Sequence, residues 1–519
     1  MRNAVFAALP IVLLAASAPS VPPSVEQTVA QVVAKPAYAH SVLGIYVADQ
    51  STGDTLIDRF GDKMYVAGSI MKTFSTASAL KAYGPAYRFH TPVYRTGAIS
   101  GGTVNGNLVL VASGDFSFGL REQPNGTLAF NSMPEIDHNY ADTGFPGPTI
   151  LRGSDPFAAL NELAKKIRSA GVRRVRGNVV IDDRLFKAYD GWPDGPMSSI
   201  WINENQIDVT VIPGAPGQPA RIDWRPKIAT VSVSSQVKTV PKNVEPKPLE
   251  LMQKRPGAYV ITGEVRSGDA SSLRNVPIPD PPAYVRIAFI EALRRAGVTV
   301  DAPATGSNPE KLLPARPYSS SAMIADHVSP PLSQFIKVIL KVSYNRGADL
   351  MVCLVAVKSG SRECPDGLVT ELKTITALGV SPQSTLLYDG AGSVDSGRTS
   401  PLDQVTFLRN LIGSPWGRYV HDGMAILGVD GTQAMNQRGT DAAGKVRVKD
   451  GSRVVGSPSG QVAVYAKTQV GYITARSGRT LVYGVFLNDV PATPDSIFEA
   501  FTAADHDVGA IVVALQQGY

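Results

Sequence analysis

The chain has 519 residues, too many for one compact core and enough for about three domains. Hydrophobic residues make up 44% and charged residues 18%, which excludes a disordered chain. A formal charge of +6 is a mild excess over so large a surface. It argues for solubility and against a nucleic-acid partner, and the RRVR run at 173–176 reads as a solvated edge.

In chain order, Met1-Arg2 gives a positive start, residues 5–16 an uncharged apolar run, and residues 15–20 a small-residue tail, AASAPS. The run is too short to span a bilayer and polar sequence follows it, so residues 1–20 read as a secretory signal peptide. The mature chain is expected outside the cytoplasm, secreted or periplasmic. No later segment reaches about 18 uninterrupted apolar residues, so no integral membrane span is expected in it. Residues 24–34 have helical spacing, and residues 40–60 read as two strands around a Ser-Thr-Gly-Asp turn. A helix opens near Gly68-Ser69 and runs to about Tyr83. From about residue 95 the pattern is strand-like and loop-rich, with a helix over 155–171, and 215–280 alternates Val, Thr and Ser with Pro and Gly as a β-rich module does. Residues 282–297 return to an amphipathic helix, 329–360 read as two helices meeting near Ser343, and the end is two long strands and a helix over 495–517.

The expected fold class is α/β in the α+β sense: an antiparallel sheet flanked by helices, assembled from both chain ends, with β-rich inserted domains between them. The expected units are 21–95 and 325–519 for the sheet-forming domain, 96–214 and 215–280 for two inserted domains, and 281–324 for the return. Cys353 and Cys364, eleven positions apart, admit a disulfide or two separate thiols. The six histidines are scattered, with no His-x-x-x-His and no Cys/His cluster, so no metal or other cofactor is expected. The same scatter disfavours a Ser-His-Asp hydrolase, and there is no glycine-rich phosphate loop.

The chemistry centres on Ser69-Ile70-Met71-Lys72, which sets a hydroxyl and an amine three apart on one helix face. A partly buried lysine has a lowered pKa and takes the serine proton, giving a nucleophile and base without histidine. The same spacing recurs at Ser78–Lys81 and Ser235–Lys238, but the first lies mid-helix and the second in a strand-like stretch. Ser343-Tyr344-Asn345, at a helix break, adds a second hydroxyl to relay a proton and an amide to orient the lysine and bind substrate.

These motifs, in this order behind a signal peptide, resemble the low-molecular-mass class C penicillin-binding proteins, the D-alanyl-D-alanine carboxypeptidase/endopeptidases of peptidase family S13. NLVLVASGDFS (107–117), RGNVVIDDRLF (176–186), INENQIDVTVIPGAPGQPARI (202–222), TSPLDQVTFLRNL (399–411) and GVDGTQ (428–433) carry the resemblance over nearly the whole mature chain. It implies a β-lactamase-like transpeptidase domain with insertions between the first two motifs, and peptidoglycan stem peptides as substrates. It further implies β-lactams as covalent inhibitors, Ser69 as the acylated nucleophile and Lys72 as its base. Ser343 would carry the proton to the leaving amine, and Asn345 would hold the peptide amide. The Ser69 N–H would be half of an oxyanion hole completed by the strand of a third motif. Nothing in the sequence bears on oligomeric state.

That third motif is Lys-Thr-Gly in the family. Lys358-Ser359-Gly360 comes too soon after Ser343 and should end a helix, and Lys467-Thr468-Gln469 lacks the glycine. Lys449-Asp450-Gly451 lies at the expected interval and is taken as the motif, with Asp450 and Gly451 against the substrate. Asp450 then puts an acceptor where the family has a hydroxyl. Facing a substrate carboxylate at about 4 Å and an effective dielectric near 20, it would repel by about 4 kcal/mol before screening, offset in part by Arg453. Ala348-Asp349 is a second departure, the family having Ala-Glu. The expected activity is D-Ala-D-Ala carboxypeptidase or endopeptidase with altered carboxylate recognition. The alternatives are a catalytically impaired homologue that binds or scaffolds cell wall, and a secreted esterase or β-lactamase on the same fold.

Overall fold

The computed structural model describes residues 21–140 and 148–519, and the expected signal peptide lies outside them. Helix α1 (Pro23–Val33) leads into strands β1 (Val42–Asp49) and β2 (Thr55–Arg59). Their turn is closed by Asp49, whose Oδ1 accepts from the backbone N–H of Ser51 and Thr52 at 2.8 and 3.0 Å. A tight 3-10 turn, Gly68–Met71, opens helix α2 (Lys72–Tyr83), which stops at Gly84, where φ is +82°. Lys72 to Leu80 are all buried, so α2 is a central helix with helices on several sides.

The chain then leaves through β3 (Arg88–Arg95), β4 (Leu108–Val111), α3 (Ala158–Ser169), β5 (Val179–Asp182), β6 (Gln206–Ile212) and α4 (Pro281–Arg295). It returns through β7 (Met323–Pro331), which pairs antiparallel with β3, so exit and return lie side by side in a four-stranded sheet, β5-β4-β3-β7. Pro281 at the start of α4 and the Asp280 carboxylate on the Ala283 N–H at 3.1 Å start that helix. Helices α3 and α4 pack on each other and share one apolar cluster with these strands. Central strand β6 pairs on one side with Arg221–Arg225 and on the other with Ser272–Pro277, a three-stranded sheet that straddles residue 214.

After β7 come α5 (Leu332–Lys341), α6 (Asn345–Lys358), α7 (Asp366–Thr376) and α8 (Pro401–Leu411), then β8 (Val446–Gly456), β9 (Val462–Thr474), β10 (Thr480–Ala492) and α9 (Ile497–Gly518). The main sheet is antiparallel, β2-β1-β10-β9-β8, with the short strand Ala425–Ile426 at its edge. Helices α1 and α9 cover one face; α2, α5, α6 and α8 fill the other. Both faces are covered, so β9 and β10 are nearly continuously buried along their middles with little alternation, polar Lys467-Thr468-Gln469 included. The expected class, an antiparallel sheet with helices and β-rich inserted sheets, is what forms. Cys353 and Cys364 are joined in a disulfide between α6 and the start of α7. Among the described residues no helix is long and apolar enough to cross a membrane.

Candidate active site

Ser69 lies in the 3-10 turn and Lys72 is the first residue of α2. The Lys72 ammonium donates to Ser69 Oγ at 2.7 Å, to Asn345 Oδ1 at 2.6 Å and to the Ala391 carbonyl at 2.9 Å. Its side chain is fully buried. Burial, helped by the nearby Lys449 ammonium, brings the Lys72 amine down to about 7 against the pull of Asp194, Asp349 and Asp389. An amine near neutrality beside a partly exposed hydroxyl can accept its proton.

Ser343 and Asn345 lie at the break between α5 and α6. Ser343 has φ of +55°, a left-handed conformation rare for a residue with a side chain, and Asn345 opens α6. The Ser343 hydroxyl accepts from Lys449 Nζ at 3.1 Å. The Asn345 amide is held at both ends, since its oxygen takes Lys72 and its nitrogen donates to Asp194 Oδ1 at 3.0 Å. Asp389 accepts from the backbone N–H of Gly392, Ser393 and Val394 at 2.6, 2.8 and 2.9 Å, fixing the loop whose Ala391 carbonyl meets Lys72. Asp349, on α6, accepts from the Gly390 N–H at 2.9 Å. Burial, then Asp389 and Asp194, push its carboxyl well up.

Lys449, Asp450 and Gly451 lie on β8, which passes against the Ser69 turn. A Cβ on Gly451 would sit 2.5 Å from the Ala67 carbonyl and 3.0 Å from the Ser69 nitrogen. A Cβ on Gly68 would sit 3.0 Å from the Ser452 nitrogen. Both glycines allow backbone to approach backbone, which brings the Ser69 turn close to the Ser452 backbone. The rival stretch lies on the next strand: Ser452 pairs with Lys467, Gly451 with Thr468 and Asp450 with Gln469. Thr468 donates to the Ala67 carbonyl at 2.8 Å, which braces the turn. Lys358 ends α6, as expected.

Asp450 is buried and surrounded by donors. The Thr432 hydroxyl donates to Oδ1 at 2.6 Å, Lys449 Nζ is at 3.4 Å, and Lys467 Nζ is 4.0 Å from Oδ2. Burial works against ionisation, yet Lys449, Lys467 and the Thr432 hydroxyl hold the carboxyl well below the usual carboxylate range. Lys467 also pairs with Asp505 at 2.6 Å and donates to Ser452 Oγ at 2.9 Å. Arg453, expected to offset the charge, pairs with Asp395 at 2.5 Å. A cleft of about 110 Å³ opens between Ser69, Asp194, Ser343, Asn345, Asp450 and Ser452. It adjoins a hollow of about 250 Å³ that shares Asp194 and Asn345.

All seven residues expected at the site therefore converge. Sequence reasoning missed Asp194, Thr432, Asp389 and the bracing role of Lys467 and Thr468; no spacing rule links these loop and neighbouring-strand residues to the motifs.

A model of the D-Ala-D-Ala carboxypeptidase 3 (S13) family matches residues 25–503. The chain is 27% identical over 463 residues to the D-alanyl-D-alanine carboxypeptidase of Actinomadura sp. (strain R39), covering 82% of this chain and 78% of that protein. It is 22% identical over 410 residues to the D-alanyl-D-alanine carboxypeptidase DacB of Haemophilus influenzae, covering 76% of this chain and 75% of that one. The crystal structure of penicillin-binding protein 4 from Haemophilus influenzae has the same fold, with a TM-score of 0.66 at 18% identity over 93% of this chain and 98% of that one. That protein has also been solved in complex with a β-lactam. With the family model spanning nearly all the described residues, this chain belongs to the D-Ala-D-Ala carboxypeptidase 3 (S13) family.

Proposed function

We propose that this protein is a serine D-Ala-D-Ala carboxypeptidase/endopeptidase acting on peptidoglycan stem peptides in the cell envelope, with Ser69 as nucleophile. The observation that carries the reading is the Lys72 amine, buried, near neutral and 2.7 Å from Ser69 Oγ. Ser69 Oγ attacks the carbonyl carbon of the penultimate D-Ala as Lys72 takes its proton. The Ser69 and Ser452 N–H groups receive the charge developing on the carbonyl oxygen. When the tetrahedral intermediate collapses, the C–N bond breaks and the leaving amine takes a proton from the Ser343 hydroxyl, which Lys449 resupplies. Water then attacks the acyl ester, giving up its proton to the same network, and Ser69 is regenerated. Asn345, with its amide fixed, takes the substrate's peptide group. No metal or other cofactor enters this scheme, and β-lactams would acylate Ser69 by the same first step.

Asp450 bears on which bond is cut. Its carboxylate stays ionised, and the Thr432 hydroxyl beside it is already donating to it. A substrate with a free C-terminal carboxylate would meet an acceptor where a donor is needed. A crosslink whose neighbouring carboxyl group is amidated suffers less. The preferred reaction is therefore endopeptidase cleavage, with D-Ala release slower.

Intact mass after incubation with penicillin, wild type against Ser69→Ala, tests the nucleophile; only the wild type should gain one penicillin. If neither gains mass, the Ser69 reading is wrong. Turnover of a crosslinked dimer against release of free D-Ala then tests the preference. Acylation without turnover of either substrate would favour a wall-binding homologue.

A further inference from the structure

His327, on β7, is buried among three carboxylates from two other parts of the chain. Its Nδ1 lies 2.8 Å from Glu162 Oε2 on α3. Its Nε2 lies 3.0 Å from Glu122 Oε1 and 3.8 Å from Asp115 Oδ2. Asp115 comes from a tight turn in which its Oδ1 accepts from the Ser117 and Phe118 N–H groups, both at 2.9 Å. Its other oxygen, Oδ2, is buried and has no hydrogen-bond donor among the described residues. One ligand atom from each of Asp115, Glu122 and His327 falls within 4.8 Å of the others. None of this belongs to the Ser69 cleft.

Proton bookkeeping leaves one position unfilled. With Nδ1–H directed to Glu162, an Nε2 that has given up its proton would turn its lone pair, with two carboxylate oxygens, on one point. A proton on Nε2 would serve Glu122 and leave Asp115 Oδ2 still without a donor, a cost of about 1–3 kcal/mol or more for a charged group. A divalent ion serves all three. The Glu162–His327 hydrogen bond is the arrangement by which a second carboxylate fixes and strengthens a metal-bound imidazole.

We propose that Asp115, Glu122 and His327 form a divalent-cation site, with Glu162 orienting the histidine. One imidazole and two carboxylates suit zinc or manganese, and a fourth position remains for water. Glu122 is 24% exposed and gives the ion a way in. The ion is structural: it joins the 115–122 turn to β7, the strand that runs directly into α5 and so towards Ser343. The histidine spacing of the sequence hides the site, because its ligands lie up to 212 residues apart in the chain.

The test is calorimetric titration of zinc chloride, and separately manganese chloride, into untagged full-length mature protein stripped with chelator. Asp115→Asn, His327→Gln and Glu122→Gln are run beside it. One equivalent should bind, and each substitution should weaken binding at least about tenfold. Glu122 is partly exposed, so its variant keeps the fold; unchanged penicillin acylation at Ser69 checks this and keeps the outcome separate from the catalytic reading. If the wild type binds neither ion, or binds it no more tightly than a folded Glu122→Gln, the site is wrong.

Discussion

Thr432 gives its hydroxyl proton to the Asp450 carboxylate at 2.6 Å, so that hydroxyl is already committed to the protein. Replacing Asp450 changes both the charge and that commitment. Asp450→Thr should raise kcat/KM for D-Ala release roughly 5–30-fold, a gain of about 1–2 kcal/mol. This is less than the about 4 kcal/mol of an unshielded pair, since Lys449 and Lys467 already neutralise much of the charge. Cleavage of a crosslinked dimer should change little. The ratio of the two kcat/KM values is the readout, and an unchanged ratio removes Asp450 as the cause of any preference.

The pH profile of penicillin acylation should follow the Lys72 amine. Acylation needs it neutral, so the rate should rise about tenfold per pH unit below about 7 and level off above. Burial also lowers Lys449, whose charge the proton relay uses, so a fall should follow at alkaline pH. Stopped-flow acylation rates from pH 5 to 10 check both limbs; a flat profile would mean that Lys72 is not the base.

Asp194 gives that profile a handle. Its charge raises the Lys72 pKa, and its Oδ1 holds the Asn345 amide. Asp194→Asn removes the charge while its side-chain oxygen can still accept from Asn345. The rising limb should therefore move to lower pH, with a modest loss of rate above it. A limb that stays in place would show that Asp194 does not act on Lys72.

What was legible in the sequence follows from how far each contact reaches. Ser69 and Lys72 meet within one helical turn, so their spacing alone set them on one face. Ser343 and Asn345 were readable because the helical pattern breaks between Lys341 and Asn345. Choosing Lys449 over Lys467 needed the interval from Gly431; in the strand register Lys449 reaches Ser343, and Lys467 stands on the next strand. Asp194 meets Asn345 across 151 residues, from a loop that no periodicity marks. The charge balance at Asp450 was equally hidden. Arg453 lines the same cleft but is paired with the Asp395 carboxylate, and the cations at Asp450 are its neighbour Lys449 and Lys467 from β9.

Gly451 offers the sharpest test of how closely β8 must pass Ser69. An added methyl would lie 2.4 Å from Thr468 Oγ1, 2.5 Å from the Ala67 carbonyl and 3.0 Å from the Ser69 nitrogen. Two of those neighbours are backbone of the nucleophile's own turn, so the strand or the turn must shift. Overpacking of this kind costs about 1–3 kcal/mol of stability. Displacement of a reacting group by up to about 1 Å costs about a hundredfold in rate. Gly451→Ala should therefore lower penicillin acylation about a hundredfold while the protein still melts cooperatively, a few degrees lower. Adding Thr468→Ala removes the 2.4 Å clash but leaves the one with the Ala67 carbonyl, and it also deletes the Thr468 brace on that carbonyl. The double variant should thus regain some melting temperature and little acylation. Full recovery of acylation would locate the constraint at the Thr468 side chain and not at the approach of β8 to Ser69.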